Sequence, residues 1–277
     1  MSTVAQLLER HRSLHTVSAR LDAELILCAV INRSRSYLYT WPDREVEVLA
    51  EAQYQNLMQR RTAGEPVAHI LEEREFWSLA LKVNGSTLIP RPETETLVEW
   101  ALDLALAENA KVLDLGTGTG AIALALATER PDWHIMATDV SEDAIALAGE
   151  NCRQQDCNHI KLVLSNWYSS VEEKGFNLVV SNPPYIASDD VHLKQGDVRF
   201  EPRSALVSGV NGMDDLEHIV AGSGDFLLED GWLLLEHGCD QGADVRELLL
   251  AKNFTNVTTR CDLSGNERIS GGQWACG

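Results

Sequence analysis

The sequence lacks any apolar run long enough to cross a membrane. A membrane helix needs about 20 successive apolar residues, and although 44% of the 277 residues are hydrophobic, they are scattered in short stretches. Arg10 and Arg12 interrupt the N-terminal segment, where a secretory signal would need an unbroken apolar core. We therefore predict a globular protein without a membrane partner, located in the cytoplasm.

Cysteine is also sparse and unpatterned. The six cysteines include no Cys-x-x-Cys pair, and no set of His and Cys residues has the spacing of a zinc site. Reduced, mostly buried thiols are typical of such a distribution in a cytosolic chain. The sequence predicts no structural metal.

Basic residues are scarce in the second part of the chain. Residues 91–277 hold thirteen Lys and Arg against thirty-one Asp and Glu, whereas residues 1–90 hold ten against eleven. Binding along a phosphate backbone needs many Lys and Arg contacts. The imbalance argues against direct nucleic-acid binding, although a requirement for solubility explains it equally well.

The pattern of apolar residues changes near residue 85. Leu21, Leu25 and neighbouring apolar residues recur at helical spacing, and a further helix is predicted over residues 46–61. Residues 76–83 alternate as a strand does, and Asn84-Gly85 is a hairpin signal. The sequence predicts a helical N-terminal domain with a hairpin linker, residues 1–85, and a second domain, residues 86–277.

Strands and helices alternate from Lys111 onward. Such a succession predicts an α/β, Rossmann-like fold with a mostly parallel sheet and helices on both faces. Ligands bind in these folds at the carboxyl ends of the strands. Seven strands are predicted, over residues 111–115, 134–139, 160–164, 176–181, 232–236, 257–261 and 268–274.

A glycine-rich loop follows the first of these strands. Its residues are Gly116, Thr117, Gly118, Thr119 and Gly120, and glycines let a ligand lie against bare backbone. Asp139 ends the next strand, where an acid can accept hydrogen bonds from both ribose hydroxyls. Loop and acid together suit either NAD or S-adenosyl-L-methionine. Asp114 is placed either to meet the amino end of a methionine moiety or to brace the loop.

Asn166 and Trp167 end the third strand. The Asn side chain can bond the amino group of an adenine, and the indole can cover its ring. A capping Asn beside a core Trp is the alternative interpretation.

The most specific motif is Asn182-Pro183-Pro184-Tyr185, at the end of the fourth strand. The prolines stiffen the backbone, so the Asn182 side-chain oxygen and the Pro183 carbonyl can stand as two fixed acceptors. A planar NH2 group has two N–H donors for them, which leaves its lone pair facing out of the plane toward a methyl donor. Tyr185 can stack on the planar group. A dehydrogenase has no use for this arrangement.

The order of these motifs resembles the peptide chain release factor glutamine N5-methyltransferases, the PrmC/HemK family, within the class I methyltransferases. The matching segments are residues 74–77, 89–95, 114–120, 182–185 and 198–202. The resemblance implies that S-adenosyl-L-methionine is converted to S-adenosyl-L-homocysteine, and that the substrate is the glutamine of a Gly-Gly-Gln motif in class 1 release factors. Asn166 departs from the family, which commonly has Asp there.

The resemblance and the residues together define the candidate site. Substrate binding is predicted for Asn182, Pro183, Pro184 and Tyr185, and catalysis for Asn182, Pro183 and Tyr185. Cofactor binding is predicted for Asp114, Gly116, Thr117, Gly118, Thr119, Gly120, Asp139, Asn166, Trp167 and Asn182.

Two alternatives bear on the substrate. The same pair of acceptors would serve the amino group of a flipped adenine or cytosine, although the acidic balance stands against a nucleic-acid substrate. The chain also carries its own Gly271-Gly272-Gln273. This tripeptide falls in the last predicted strand, so we predict that Gln273 is not a substrate.

Overall fold

Two compact units make up the chain in the computed structural model, which describes residues 1–275. The first unit joins residues 1–73 to residues 191–200, and the second joins residues 74–190 to the described residues from 201 onward. Within the described part of the chain, no helix combines the length and the apolar character that a membrane span requires.

The first unit is built from short helices around its own core. Their bounds are α1 Val4–Leu8, α2 Ala19–Ile31, α3 Arg35–Thr40, α4 Val48–Thr62 and α5 Val67–Leu71. Leu7, Ile26 and Leu27 pack with the buried Tyr54, whose hydroxyl donates to the Leu7 carbonyl. Helix α4 corresponds to the helix predicted over residues 46–61.

Segment 191–200 is attached to the end of α4 by a buried arginine. The Arg61 guanidinium lies 2.8 Å from the buried Asp22 and 2.9 Å from Asp197. Arg199, from the same segment, donates to the carbonyl of Ala63. A buried arginine is stable only when its donors are paired. Asp197 therefore helps to satisfy the hydrogen-bond donors of Arg61 in the core of this unit.

A β-hairpin opens the second unit, but not where the sequence predicted it. Strands β1 Glu73–Phe76 and β2 Leu79–Lys82 are joined by Trp77 and Ser78, with φ of 51° and 59°. Two successive left-handed residues form the tight turn that matches strand twist. The predictions of one strand over residues 76–83 and of a hairpin at Asn84-Gly85 are therefore wrong.

The first compact unit ends at Glu73 in this part of the chain, whereas the sequence placed the domain boundary near residue 85. Phe76 and Leu81, one from each hairpin strand, are buried in the core of the second unit. Asn84, expected to turn the hairpin, instead accepts hydrogen bonds from the backbone and hydroxyl of Ser86. Asn84 and Ser86 therefore form a local turn that follows the hairpin.

Seven strands form the main sheet of the described chain, in the order β5-β4-β3-β6-β7-β9-β8. Neighbours from β5 to β7 are parallel, and β9 is antiparallel to both β7 and β8. The predicted α/β, mostly parallel fold is confirmed. The helices are α6 Glu95–Asp103, α7 Ala121–Glu129, α8 Glu142–Gln154, α9 Asp214–Ser223 and α10 Gly242–Ala251; the strands are β3 Lys111–Leu115, β4 His134–Asp139, β5 Lys161–Leu164, β6 Phe176–Ser181, β7 Leu227–Glu236, β8 Phe254–Cys261 and β9 Glu267–Trp274.

Burial on both sheet faces explains the continuous apolar character of the central strands. Val112 packs in one core cluster while its neighbours Leu113 and Leu115 pack in the other, as the alternation of side chains along a strand requires. Strand β3 pairs with β4 on one side and with β6 on the other. The strand order reverses at this point, and α/β sheets bind their ligands in the crevice outside such a switch point.

Candidate active site

A cavity of about 220 Å³ lies within the second unit, lined by the segments that follow β3, β4, β5 and β6. It brings together most of the residues predicted from sequence. Those that line it are Gly116, Thr117, Gly118, Thr119, Asp139, Asn166, Trp167, Asn182 and Pro184. Asp114, Gly120, Pro183 and Tyr185 are not among the lining residues.

The backbone of the glycine loop explains its sequence. Gly116, Gly118 and Gly120 have φ of 70°, 55° and 84°, a region that only glycine enters without strain. A Cβ on Gly116 would also lie 3.3 Å from the Trp167 ring. Bare backbone therefore lines one wall of the cavity, with an indole facing it.

Asp139 connects this loop to the next helix. Its Oδ2 accepts from the Gly118 N–H and its Oδ1 from the Ser141 N–H, each at 2.9 Å. The Ser141 hydroxyl in turn accepts from Ala144 and caps α8, so Asp139 is not needed as the cap. A carboxylate has further lone pairs, and Asp139 can accept from a diol in the cavity while it holds the loop.

Asp114 lies beneath the loop. It is fully buried, and the Thr117 hydroxyl donates to its Oδ2 at 2.6 Å. Burial raises the pKa of Asp114 to about 7, because the charged form loses its hydration. This position matches bracing of the loop, one of the two roles considered for Asp114 from sequence.

Asn166 and Trp167 follow β5 in a tight turn. Trp167 has φ of 48°, which is unusual for a bulky side chain, and the Ser165 hydroxyl donates to its carbonyl at 2.8 Å. The half-buried indole and the exposed Asn166 both line the cavity. Strained backbone of this kind is concentrated at functional sites.

The Asn182–Tyr185 segment begins directly after β6. The Asn182 Nδ2 donates to the Thr94 hydroxyl at 3.1 Å. Its Oδ1 is buried and has no hydrogen-bond partner among the described residues. A buried acceptor without a partner costs free energy, so the Asn182 Oδ1 has an unused capacity to accept a hydrogen bond from a ligand N–H.

Tyr185 is held at both its ends. Its hydroxyl lies 3.2 Å from the Glu236 Oε1, and its carbonyl accepts from the Gln241 side chain at 3.1 Å. A Cβ on Gly212 would lie 2.3 Å from that carbonyl, so the backbone there is closely packed. The predicted stacking of Tyr185 on a substrate stays a prediction, since its ring does not line the cavity.

Sequence reasoning missed two polar residues that contact this segment, Thr94 and Glu236. The Thr94 hydroxyl donates to the Glu236 Oε2 at 2.6 Å, and the carboxylate is 1% exposed. Burial raises the pKa of Glu236 to about 7. An available signal was that Glu236, like Asp139, ends a parallel strand at the edge where ligands bind.

Glu201 holds another segment that lines the cavity. Its carboxylate accepts from the Ile89 N–H at 3.0 Å and from the Arg91 guanidinium. Pro90 and Arg91 both line the cavity. The carboxylate therefore fixes this proline-rich segment in place, although more than a hundred residues of sequence separate the partners.

Comparison with known proteins assigns both parts of the chain. Residues 3–71 match the PrmC N-terminal domain model, and residues 94–200 match the methyltransferase small domain model. A release factor glutamine methyltransferase from Pseudomonas aeruginosa is 53% identical over 276 residues, 100% of both chains. One from Shewanella oneidensis is 51% identical over 93% of this chain and 90% of its own.

This chain belongs to the release factor glutamine methyltransferase family. A third member, from Escherichia coli, is 46% identical over 93% of each chain. The resemblance inferred from the motifs is confirmed at the level of the family.

Solved structures show the fold of this family member independently. A methyltransferase from Pyrococcus furiosus matches 80% of this chain and 100% of its own, with a TM-score of 0.56 and 15% identity. The hMettl16 catalytic domain, solved with a MAT2A 3'UTR hairpin, matches 90% of each chain with a TM-score of 0.59 and 15% identity. At these identities the likeness describes the fold alone.

Proposed function

We propose that this chain transfers the methyl group of S-adenosyl-L-methionine to the side-chain amide nitrogen (N5) of the glutamine in the Gly-Gly-Gln motif of class 1 peptide chain release factors. The proposal follows the names of relatives at 46–53% identity over nearly the full length. The observation that carries it is Asn182. Its Oδ1 is a buried acceptor with no hydrogen-bond partner among residues 1–275, as a substrate amide N–H requires.

The cavity fits the cofactor on its own chemistry. The glycine loop has no side chain at Gly116 or Gly118 to displace a ligand, and Asp139 stands beside it to receive ribose hydroxyls. Trp167 offers a ring face for adenine. Asn166 offers a neutral acceptor, where a carboxylate would bond an adenine amino group more strongly.

The residues of this chain act on the nitrogen that is to be methylated. The cofactor, when bound, supplies an electrophilic methyl group, which the amide nitrogen takes with loss of one proton while the S–CH3 bonding pair stays on sulfur. An amide lone pair is delocalised and weakly nucleophilic. We propose that the Asn182 Oδ1 accepts from one N–H group and that the Pro183 carbonyl, as predicted from the sequence, accepts from the other. Together they would orient the lone pair and polarise the N–H bonds.

A methylation assay tests the proposed function. The full chain is incubated with radiolabelled S-adenosyl-L-methionine and either release factor, release factor with alanine in place of the motif glutamine, or double-stranded DNA. We expect label in the unaltered release factor alone. Label in the alanine variant or in DNA, with none dependent on the glutamine, would contradict the proposal and favour the nucleic-acid alternative.

We further propose that the helical unit binds the release factor. It has its own core and a near-neutral charge balance, and it exposes large apolar side chains. Trp41 is 57% exposed and Leu49 84%. Trp is enriched among the side chains that carry most of the binding energy at protein interfaces, and the exposed Leu49 adds apolar area to the same unit.

Replacing both side chains, as Trp41→Ala with Leu49→Ala, should raise the KM for release factor by about tenfold, since a lost anchor costs on the order of 1–2 kcal/mol. The affinity for S-adenosyl-L-homocysteine should not change. Leu263→Ala, which removes a side chain of the second unit that is 105% exposed, is the matched control. Substitution is preferable to deletion because residues 191–200 pack with residues 1–73. An unchanged KM in the double variant would remove these two side chains from recognition.

The chain's own Gly-Gly-Gln tripeptide should stay unmethylated. Gln273 lies within β9, where its Nε2 donates to the Asp230 carbonyl and its Oε1 accepts from Asn256, each at 2.9 Å. Close packing explains the first glycine of the tripeptide, since a Cβ on Gly271 would lie 2.4 Å from the Leu234 side chain. Mass spectrometry of the C-terminal peptide after incubation with S-adenosyl-L-methionine should show no added methyl. A methyl group mapped to Gln273 would show that the strand leaves the sheet.

A further inference from the structure

A polar chain of three side chains runs from the cavity into the core of the second unit. The Asn182 Nδ2 lies 3.1 Å from the Thr94 Oγ1, and the Thr94 Oγ1 lies 2.6 Å from the Glu236 Oε2. Thr94 and Glu236 are 4% and 1% exposed. The second carboxylate oxygen of Glu236 accepts from the Tyr185 hydroxyl at 3.2 Å.

The chemistry of these groups fixes which group donates and which accepts in each of these hydrogen bonds. An ionised carboxylate only accepts hydrogen bonds, and a hydroxyl has a single hydrogen to donate. The Thr94 hydrogen is used by Glu236, so toward Asn182 the same hydroxyl can only accept. The NH2 end of the Asn182 amide must therefore face Thr94, and its oxygen must face the other way.

We infer that Thr94 and Glu236 are positioning residues that set the orientation of the Asn182 amide and thereby select a substrate that donates N–H groups. The inference rests on the proposed function. A reversed amide would present NH2 to the cavity, where it would favour a carbonyl or carboxylate oxygen over an amide nitrogen. The buried Asn182 Oδ1, unpartnered among the described residues, lies where this orientation requires an acceptor.

The first test replaces only the Thr94 hydroxyl. Thr94→Val keeps the shape of the side chain and should lower kcat by about tenfold to a hundredfold, because the Asn182 amide is no longer held in one orientation. Thr94→Ser restores the hydroxyl and should return kcat to within about threefold of wild type. The KM for release factor and the affinity for S-adenosyl-L-homocysteine should change less than about twofold in both.

Ser223→Ala is the matched control for loss of a buried hydroxyl. Ser223 lies at the end of α9, where its hydroxyl donates to the Val220 carbonyl. It should leave kcat unchanged. A Thr94→Val variant with wild-type kcat would overturn the inference. A parallel fall in affinity for S-adenosyl-L-homocysteine would also overturn it, since Thr94, which lines the cavity, would then act through the cofactor.

A second readout needs no turnover and so separates this inference from the proposed function. In the isotopically labelled full chain, the Asn182 side-chain NH2 signal is identified by its loss in Asn182→Ala. We expect its hydrogens to exchange with solvent at least about tenfold more slowly than those of the exposed Asn84, and Thr94→Val to remove this protection. Fast exchange in the wild-type chain would overturn the inference even if release factor is methylated. Protected exchange without methylation would overturn only the proposed function.

The pH profile addresses Glu236 itself. Burial raises its pKa to about 7, while its hydrogen bonds with Thr94 and Tyr185 and the Arg268 charge lower it and Glu93 raises it. The next residue, His237, bonds Ser270 and the Gly238 carbonyl. Below this pH a protonated Glu236 can donate to Thr94, which frees the Thr94 hydrogen to face Asn182. The direction of the hydrogen bonds from Asn182 to Glu236 is then reversed.

We therefore expect kcat to fall as the pH drops through about 7. Glu236→Gln cannot titrate, and its side-chain oxygen can still accept from Thr94 while its NH2 group donates to the Tyr185 oxygen. It should therefore keep kcat at high pH within about threefold of wild type and remove this component of the profile. The comparison with the variant is needed because burial also raises the pKa of Asp114 to about 7. A profile unchanged by Glu236→Gln would overturn the role of Glu236.

Discussion

Asn182→Ala should lower turnover on release factor by about a hundredfold or more, the cost of deleting one preorganised polar group in an active site. This equals about 2.7 kcal/mol of transition-state stabilisation. The variant loses the buried Oδ1 acceptor, and with it the orientation that Thr94 imposes. Since the amide nitrogen is a poor nucleophile, the loss should appear in kcat more than in KM.

Cofactor affinity should survive in part, because the glycine loop and Asp139 are untouched by this substitution. Calorimetric titration with S-adenosyl-L-homocysteine measures it separately from turnover.

A control for Asn182→Ala is available near the start of β6, the strand that Asn182 follows. Asn177 lies in β6, half-buried, where its side chain accepts from the Lys111 N–H at 2.9 Å. Asn177→Ala removes the same atoms at the opposite end of the strand, so it should reduce stability without a specific loss of kcat. Wild-type turnover in Asn182→Ala would refute the orientation of the substrate amide by this side chain.

The parallel sheet was predictable because burial on both faces leaves a local signature. Strands 111–115, 134–139 and 176–181 agree with the structure residue for residue. The position of the hairpin could not be predicted, because its turn is made by Trp77 and Ser78. These residue types give no sequence signal for a left-handed backbone. Asn84-Gly85 does carry that signal and forms a different turn. Local preference was overridden there by the packing of Phe76 and Leu81.

In the candidate site, too, contiguous motifs could be predicted from the sequence and distant partners could not. The predictable parts are short segments at strand ends, namely the glycine loop, Asp139 and Asn182–Tyr185. Thr94 and Glu236 are 142 residues apart, and only the completed sheet brings them together behind Asn182. A titratable residue in the core has no periodicity to reveal its partner, so this part of the site required the structure.

Asp139→Ala should weaken binding of S-adenosyl-L-homocysteine by roughly 2–4 kcal/mol, since each hydrogen bond to a charged group is worth about 1.5–3 kcal/mol. That range is about 30-fold to 1,000-fold in Kd. Two effects combine in this prediction. The carboxylate is proposed to accept from the ribose hydroxyls, and in the structure its Oδ2 accepts from the Gly118 N–H at 2.9 Å.

Asp139→Asn separates the two effects. It keeps one acceptor oxygen but turns an NH2 group toward one of the two backbone donors, Gly118 or Ser141, which the carboxylate now satisfies. If ordering of the loop dominates, Asp139→Asn should bind as weakly as Asp139→Ala and both should unfold at a lower temperature. If the ribose contact dominates, Asp139→Asn should fall between wild type and Asp139→Ala in affinity.

The change in charge must be controlled separately, because the second part of the chain is strongly acidic. Asp143→Ala makes the same charge change in the first turn of α8, at an exposed position four residues along the chain. Its effect on affinity should stay within about twofold, since exposed charges are screened by solvent. Equal affinities in Asp139→Ala and wild type would exclude Asp139 from the site. Equal losses in Asp139→Ala and Asp143→Ala would assign the effect to the overall field of the domain instead of to a contact with the ribose.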